Sequence, residues 1–160
     1  MCQGMVHIFS GDGHGKSSAA LGKAIQAASE GDEVVVISFL KGLKKQDLFQ
    51  RLEPEIKVFR FEKYDENFED LTQEQQEEEI KNIRNGLNFA KKVLTTEGCD
   101  LLVLDEVLGL IDIGIISVEE LKIILGFRSA STDVILTGIT LDDKTRELAD
   151  EISEIHTVKH

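Results

Sequence analysis

The sequence predicts an α/β fold, with a mostly parallel sheet of about six strands and helices on both faces. Short apolar runs alternate with longer segments of helical pattern along the 160 residues, the order expected of strand–helix–strand units. Three of the runs, at 34–40, 101–104 and 134–136, are almost continuous Val, Ile and Leu, as in strands covered on both faces. Two helix starts, Thr72–Gln75 and Ser117–Glu120, follow the capping-box pattern.

These patterns predict six strands and four helices in one domain over residues 1–160. The strands are predicted at Val6–Phe9, Val34–Leu40, Ile56–Phe61, Leu101–Asp105, Val134–Thr137 and Ile152–Val158. The helices are predicted at Ser18–Ser29, from Thr72 to about Glu97, from Ser117 towards Phe127 and from Asp142 to near Asp150. The acidic connection, residues 62–71, is the one long segment without a regular pattern, and such segments are often lids.

Charge and cysteine content exclude several classes of protein. The 18 Lys and Arg against 30 Asp and Glu give a net charge of −12, which argues against a nucleic-acid or anionic membrane surface. No apolar run has the length of a membrane span, and the first residues do not resemble a signal peptide. Cys2 and Cys99 lack metal-binding spacing and predict free thiols in a reducing compartment. We therefore expect a cytoplasmic protein.

The segment Ser10–Ser17 predicts a phosphate-binding loop between the first strand and the first helix. It matches GxxxxGK[ST] except at the first position, where Ser10 replaces glycine. The glycines let backbone N–H groups turn towards an anion, Lys16 adds a full charge, and the Ser17 hydroxyl suits Mg²⁺. The alternative is a glycine-rich turn with a chance lysine. The candidate nucleotide-binding residues here are Gly11, Asp12, Gly13, His14, Gly15, Lys16, Ser17 and Ser18.

A second candidate motif is the acidic pair Asp105 and Glu106, which ends the fourth predicted strand. At the carboxyl edge of a parallel sheet, Asp105 would face the phosphate loop and join the Mg²⁺ shell. Glu106 would be a second metal ligand or a base for water, and a solvated turn is the alternative. Lys41 follows the second strand at the same edge, either as an anion contact or as part of a solvated loop. The absence of an Asn-Lys-x-Asp run favours adenine over guanine.

Five blocks of the chain resemble the ATP:corrinoid adenosyltransferases that carry a phosphate loop. The first is Gly11–Gly22, and that family also lacks the first glycine of the phosphate-loop pattern. The blocks Ser38–Gly42, Leu101–Glu106 and Val134–Gly138 resemble the family's QF-[IL]-KG, VVLDE and VILTG segments in order and spacing. The end of the chain, 149–160, is similar to the closing ADxVSE…VKH.

The resemblance implies a RecA-like P-loop NTPase fold and usually a homodimer. It implies transfer of the 5′-deoxyadenosyl group of Mg·ATP to a Co(I) corrinoid with release of triphosphate, so the partners are small molecules and a reductant protein. Lys16 and Glu106 would be the catalytic residues. Ser17, Asp105 and Glu106 would attend the metal, and Phe68 would be the lid aromatic near the corrinoid.

The chain departs from the family pattern in two places. Asp70 stands where the family lid carries Trp, and the chain contains no Trp. Ile139 stands where the family carries the arginine of its TGR segment. Two alternatives therefore stay open beside the adenosyltransferase: a P-loop ATPase or kinase using Glu106, and a non-catalytic ATP-binding relative of the family.

Overall fold

A computed structural model describes residues 4–11, 15–40, 51–64, 66–96, 98–139 and 141–159. These residues contain six strands in one sheet in which all neighbouring pairs are parallel, so the α/β prediction is confirmed. The strands are β1 Val6–Ser10, β2 Val34–Ser38, β3 Ile56–Arg60, β4 Leu101–Asp105, β5 Asp133–Thr137 and β6 Glu151–Glu154.

Five α-helices connect the strands within the described ranges. They are α1 Lys16–Ser29, α2 Gln73–Thr95, α3 Val107–Asp112, α4 Val118–Leu125 and α5 Asp143–Arg146. The predicted capping box at Thr72 is complete, because Thr72 accepts from the Gln75 backbone and the Gln75 side chain accepts in return. The box predicted at Ser117 needs correction. Ser117 accepts from the Glu120 backbone, but the Glu120 carboxylate pairs with Arg84.

The sheet order is β3-β2-β4-β5-β1-β6. This order determines which residues lie next to each other at the carboxyl edge of the sheet. The phosphate-loop strand β1 is separated from the acidic strand β4 by β5. Because all strands are parallel, the residues that follow β1, β4 and β5 lie at one edge of the sheet. The order also brings Ser38, at the end of β2, beside both Asp105 and Arg60.

Both faces of the sheet carry packed helical residues. On one face, among the residues that the structure describes, the buried helical residues are Ala20, Leu21 and Ala24 of α1, and these pack on alternate residues of the strands. On the other face α2, α3 and α4 form the larger cluster with the intervening strand residues. The alternation along β2, with Val34 and Val36 on the α1 side and Val35 and Ile37 on the other, explains its continuous apolar sequence.

Several predictions of elements and their bounds need correction. The last helix, predicted from Asp142 to near Asp150, is α5 and ends at Arg146. β6 ends at Glu154 and does not continue to Val158, since it is an edge strand with β1 as its one neighbour. Helix α3 was not predicted, because its sequence VLGLID is almost wholly apolar and too short to show a helical period. The acidic connection contains one turn of 3₁₀ helix, Phe68–Asp70.

Candidate functional site

The described part of the phosphate loop contains two glycines in left-handed backbone conformations. Gly11 has φ of 119° and Gly15 has φ of 110°, a region that side chains disfavour. At Gly11 a Cβ atom would also lie 2.3 Å from the Ile155 carbonyl oxygen. Both positions therefore require glycine for physical reasons, as a tightly wrapped loop does. The other predicted loop residues, Asp12, Gly13 and His14, lie outside the described residues.

The first turn of α1 presents positive charge to the carboxyl edge. Lys16 and Ser17 are half-buried and Ser18 is exposed, and this turn contains no acidic residue. Backbone N–H groups at a helix start carry partial positive charge that attracts phosphate. Because no carboxylate in the turn offsets that charge, and Lys16 adds to it, this end of α1 suits a polyanion such as triphosphate.

Asp105 connects the phosphate loop with the centre of the sheet. Its side chain is fully buried at the end of β4, and the Ser17 hydroxyl donates a hydrogen bond of 2.9 Å to its Oδ1 atom. The structure thus brings together two predicted site residues that are 88 positions apart. A hydroxyl that donates its proton to a carboxylate still has lone pairs for a cation. The pair therefore supplies two oxygen atoms of the kind that a divalent cation prefers as ligands.

Thr137, at the end of β5, joins Asp105 to Glu106 and was not among the predicted site residues. Its buried hydroxyl donates to Asp105 Oδ1 at 2.7 Å and accepts the Glu106 backbone N–H at 2.7 Å. Glu106 itself is half-buried with φ of 65° and ψ of 17°, a strained conformation that is concentrated at functional sites. In the sequence, Thr137 is visible as a polar residue at the end of an apolar run. Its contact with Asp105 and Glu106 could not be predicted from that pattern, because it depends on β5 lying beside β4.

Polar side chains also lie at the carboxyl ends of β2 and β3, the strands beyond Asp105 in the sheet. Ser38 is fully buried, and its hydroxyl makes no hydrogen bond within the described residues. Next to Ser38, at the end of β3, Arg60 forms an ion pair with Glu62 at 2.9 Å, and the two side chains are only 11% and 3% exposed. Sequence reasoning had not placed Ser38 or Arg60 in the site as individual residues, because neither belongs to the phosphate loop or the acidic pair. The carboxyl edge is therefore polar across β3, β2, β4 and β5.

A shallow groove of about 280 Å³ lies on the other side of the loop. Ile139, which replaces the family arginine, is 59% exposed there and its carbonyl accepts the Gly11 N–H at 3.2 Å. At the rim Glu154 contacts His156 at 3.4 Å and Arg146 at 2.5 Å. These two hydrogen-bonding partners lower the pKa of Glu154. A larger cavity of about 350 Å³ lies at the opposite, amino edge of the sheet, away from the predicted site residues.

The acidic connection is fastened to α2 by several hydrogen bonds. Glu78 accepts from both the Lys63 ammonium and the Tyr64 hydroxyl at 2.7 Å, and these bonds lower the pKa of Glu78. Gln76 donates to the Phe68 carbonyl at 2.9 Å. The Phe68 ring is half-buried against the larger core cluster. Phe68 therefore has a packing role, while its exposed part leaves it available to a substrate.

The remaining predictions have mixed outcomes. Lys41 lies outside the described residues. Cys99 is a free, buried thiol, as predicted. Within the described ranges, no cluster of three or more His, Cys, Asp and Glu could hold a metal ion. No helix in the same ranges is long and apolar enough to span a membrane.

Solved structures of similar fold support the assignment of the fold. The flagellar accessory protein FlaH from Methanocaldococcus jannaschii matches with a TM-score of 0.62 at 16% identity, covering 95% of this chain and 71% of FlaH. The cytoplasmic domain of EssC matches with a TM-score of 0.51 at 15% identity, covering 94% of this chain and 32% of that one. The chain has the RecA-like P-loop NTPase fold that the family resemblance implied.

Sequence comparison identifies the family. The family model described as ATP:corrinoid adenosyltransferase BtuR/CobO/CobP matches residues 2–160. The corrinoid adenosyltransferase of Escherichia coli K12 is 32% identical, covering 99% of this chain and 79% of the relative. The corrinoid adenosyltransferase CobA of Salmonella typhimurium is 29% identical over the same shares. The chain therefore belongs to the ATP:corrinoid adenosyltransferase family, a family of transferases.

Proposed function

We propose that this chain binds Mg·ATP at the phosphate loop and transfers its 5′-deoxyadenosyl group to a reduced corrinoid, releasing triphosphate. The observation that carries the proposal is the 2.9 Å hydrogen bond between Ser17 and Asp105. It joins a cationic helix start to a buried carboxylate, the combination that phosphate-loop proteins use for a metal-bound nucleotide. Membership of the family supplies the reaction class.

The donor atoms at this edge fit Mg²⁺. Mg²⁺ prefers oxygen ligands and is usually held by one or two carboxylates together with substrate phosphates and water. Ser17 and Asp105 supply a hydroxyl and a carboxylate in contact, and Glu106 follows Asp105 directly. We infer that these three residues hold the ion, either directly or through water. When bound, the ion adds positive charge beside the phosphates and makes triphosphate a better leaving group.

The protein's task in this reaction is to expose C5′ of the nucleotide and to stabilise the leaving triphosphate. The Co(I) centre of the corrinoid substrate donates an electron pair to C5′, so a cobalt–carbon bond forms as the C5′–O bond breaks. Triphosphate leaves with the electrons of that bond, and no further oxidant or reductant enters this step. Lys16 and the N–H groups of the α1 start neutralise the leaving charge. Fixed donors of this kind are effective because they need no rearrangement during the reaction.

The corrinoid would approach from the side of the acidic connection. This connection follows β3 at the carboxyl edge, where ligands of parallel sheets bind, and it holds Phe68 half-exposed over the larger core cluster. We infer that Phe68 contacts the corrinoid. A homodimer and a reductant protein that supplies Co(I) belong to the proposal and are supported by the family resemblance. A cytoplasmic location completes it and is supported by the two cysteines without metal-binding spacing.

The decisive experiment is an anaerobic incubation of the protein with ATP, Mg²⁺ and a chemically reduced corrinoid. Triphosphate together with a cobalt–carbon product, detected by its absorption spectrum, is the expected result. The Lys16→Ala variant in the same incubation provides the control for contaminating activity. ADP and phosphate in place of triphosphate would replace the proposal with an ATPase or kinase. Unchanged ATP with intact binding would indicate a non-catalytic member of the family.

A further inference from the structure

The hydroxyl of Thr137 both donates and accepts a hydrogen bond at the centre of the site. Thr137 is completely buried at the end of β5. Its Oγ1 atom lies 2.7 Å from the Glu106 backbone nitrogen and 2.7 Å from Asp105 Oδ1. A hydroxyl has one proton to donate, so these two contacts leave no freedom in how that proton is used.

The direction of this hydrogen-bond chain is fixed by the backbone. The Glu106 N–H can only donate, so Thr137 Oγ1 accepts it, and the Thr137 proton must point to Asp105. The bonds therefore run in one direction, from the Glu106 amide through Thr137 to the Asp105 carboxylate. Chains with a consistent direction polarise each other and strengthen. Because Ser17 donates to the same Oδ1 atom, Asp105 is held in place by two hydroxyls.

Glu106 needs such a restraint more than its neighbours do. Its positive φ of 65° is costly for a residue with a side chain, and the backbone has to be held there by other contacts. The bond from its N–H to Thr137 is a contact of this kind, and it comes from a different strand. The direction in which the Glu106 carboxylate projects depends on this backbone conformation.

We propose that Thr137 is a positioning residue that sets the geometry of both acidic residues for the metal-bound nucleotide, without touching the nucleotide itself. The proposal rests on the proposed function as far as Mg·ATP binding is concerned. Its hydroxyl orients Asp105 and, through the amide, holds Glu106 in its strained conformation. The methyl group of Thr137 has no part in this role, so serine should replace threonine and valine should not.

The experiment compares Thr137→Val with Thr137→Ser. Thr132 provides a matched control, because it is also a buried threonine, directly precedes the same strand and donates its hydroxyl to the Cys99 carbonyl at 2.8 Å. Thr132→Val removes a comparable buried hydrogen bond at the opposite edge of the sheet. For each variant we would measure the Mg²⁺ concentration needed for half-maximal ATP binding, ATP affinity with excess chelator, thermal stability, and hydrogen exchange of the Glu106 amide without ligand.

For Thr137→Val we expect about a tenfold rise in the Mg²⁺ requirement, corresponding to one lost charge-assisted hydrogen bond. Metal-free ATP affinity should change less than about twofold, since Lys16 and the helix start remain. The Glu106 amide should exchange faster without ligand. Thr137→Ser should restore both properties, and Thr132→Val should lose stability without changing either.

Three results would overturn the proposal. An unchanged Mg²⁺ requirement in Thr137→Val would remove the positioning role, and so would failure of Thr137→Ser to rescue it. An equal rise in Thr132→Val would attribute the effect to general destabilisation. These binding and exchange measurements do not depend on the reaction. A wild-type protein that binds Mg·ATP without forming triphosphate would therefore refute the proposed activity and leave the role of Thr137 testable.

Discussion

Asp105 and Glu106 are consecutive residues at the carboxyl edge of the sheet, but they differ in burial and in backbone conformation. Asp105 ends a strand, is fully buried and is anchored by hydroxyl donors. Glu106 leaves the strand with a positive φ, is half-buried and begins helix α3. Hydrogen bonds fix the orientation of the Asp105 carboxylate, whereas the direction of the Glu106 carboxylate depends on its strained backbone. We therefore expect different consequences when either residue is changed.

Replacing Glu106 with Gln should raise the Mg²⁺ concentration needed for ATP binding by about tenfold, about 1.4 kcal/mol. The change removes a charge but keeps the length of the side chain, so the strained backbone is not further disturbed. Titration calorimetry at several Mg²⁺ concentrations would measure the effect. Glu151→Gln, at the opposite edge of the sheet, should behave as wild type. Identical titrations for Glu106→Gln and wild type would remove Glu106 from the proposed metal site.

Replacing Lys16 with Ala should weaken ATP binding by about 10- to 100-fold, since a hydrogen bond to a charged group contributes about 1.5–3 kcal/mol. The fold should persist, because Lys16 lies at the start of α1 and outside both core clusters. Calorimetry and circular dichroism would measure binding and folding separately. Lys23→Ala, an exposed lysine on the same helix, is the control. Wild-type affinity in Lys16→Ala would contradict the phosphate-loop assignment.

At the scale of elements, the acidic connection combines packing and exposure in one short segment. Leu71 is buried, with 7% exposure, and closes the connection directly before α2. Phe68 lies three residues earlier and is only half-buried against the larger core cluster. Glu78 on α2 ties the beginning of the connection through Lys63 and Tyr64. The segment therefore has a fixed base and one aromatic ring that both packs and faces outward.

Replacing Phe68 with Ala should reduce corrinoid-dependent turnover by about tenfold and leave ATP affinity almost unchanged. Some stability should also be lost, less than the 3–5 kcal/mol typical of a fully buried Phe, because the ring is half-exposed. Phe68→Leu retains apolar bulk without the aromatic face and should still impair turnover. Leu71→Ala provides the packing control, with lower thermal stability and normal turnover at temperatures where it is folded. Parallel loss of ATP binding and turnover in Phe68→Ala would indicate a purely structural ring.

The elements that could be predicted are those whose sequence pattern lies within a few consecutive residues. β4 has the predicted bounds, because Leu101–Asp105 is an uninterrupted apolar run ending in a carboxylate. The Thr72 cap was predictable for the same reason, since donor and acceptor are three residues apart. The Thr137 contacts span 31 and 32 positions and depend on β5 lying beside β4. The strand order that creates this neighbourhood follows from the packing of the whole chain, and no short pattern encodes it.

At the scale of the whole molecule, the larger core cluster includes a thiol that can report on the stability of the fold. Cys99 is 5% exposed in this cluster. Burial, with smaller contributions from the charges of Asp100 and Glu33, raises the pKa of the Cys99 thiol from 9.0 to about 12. The Cys99 thiol thus has a higher pKa in the folded state than in the unfolded state. Its contribution to the free energy of unfolding is therefore fully present below pH 9. It is lost as pH rises towards 12.

In a Cys2→Ser variant, Cys99 should therefore resist alkylation at pH 8 until the domain unfolds. Reaction requires an exposed thiolate, and the native state provides neither the exposure nor the ionisation. If global unfolding exposes the thiol, Mg·ATP at about 100 times its Kd should slow the labelling by up to about 100-fold. The same reaction in urea gives the rate of the unfolded chain. Rapid labelling of the native protein would show that Cys99 is exposed by local opening.

Helix α1 is subject to two structural constraints at once. It begins with Lys16 at the candidate site, and it also packs into the smaller core cluster through residues such as Ala20 and Ala24, which are 1% and 0% exposed. Alanines at this spacing let the helix lie close to the strands, so its depth is set by the smallness of those side chains. A bulkier residue at either position would lift the whole helix and carry Ser17 away from Asp105. The evolution of this buried stripe is therefore restricted by nucleotide geometry, even though neither alanine touches the nucleotide site.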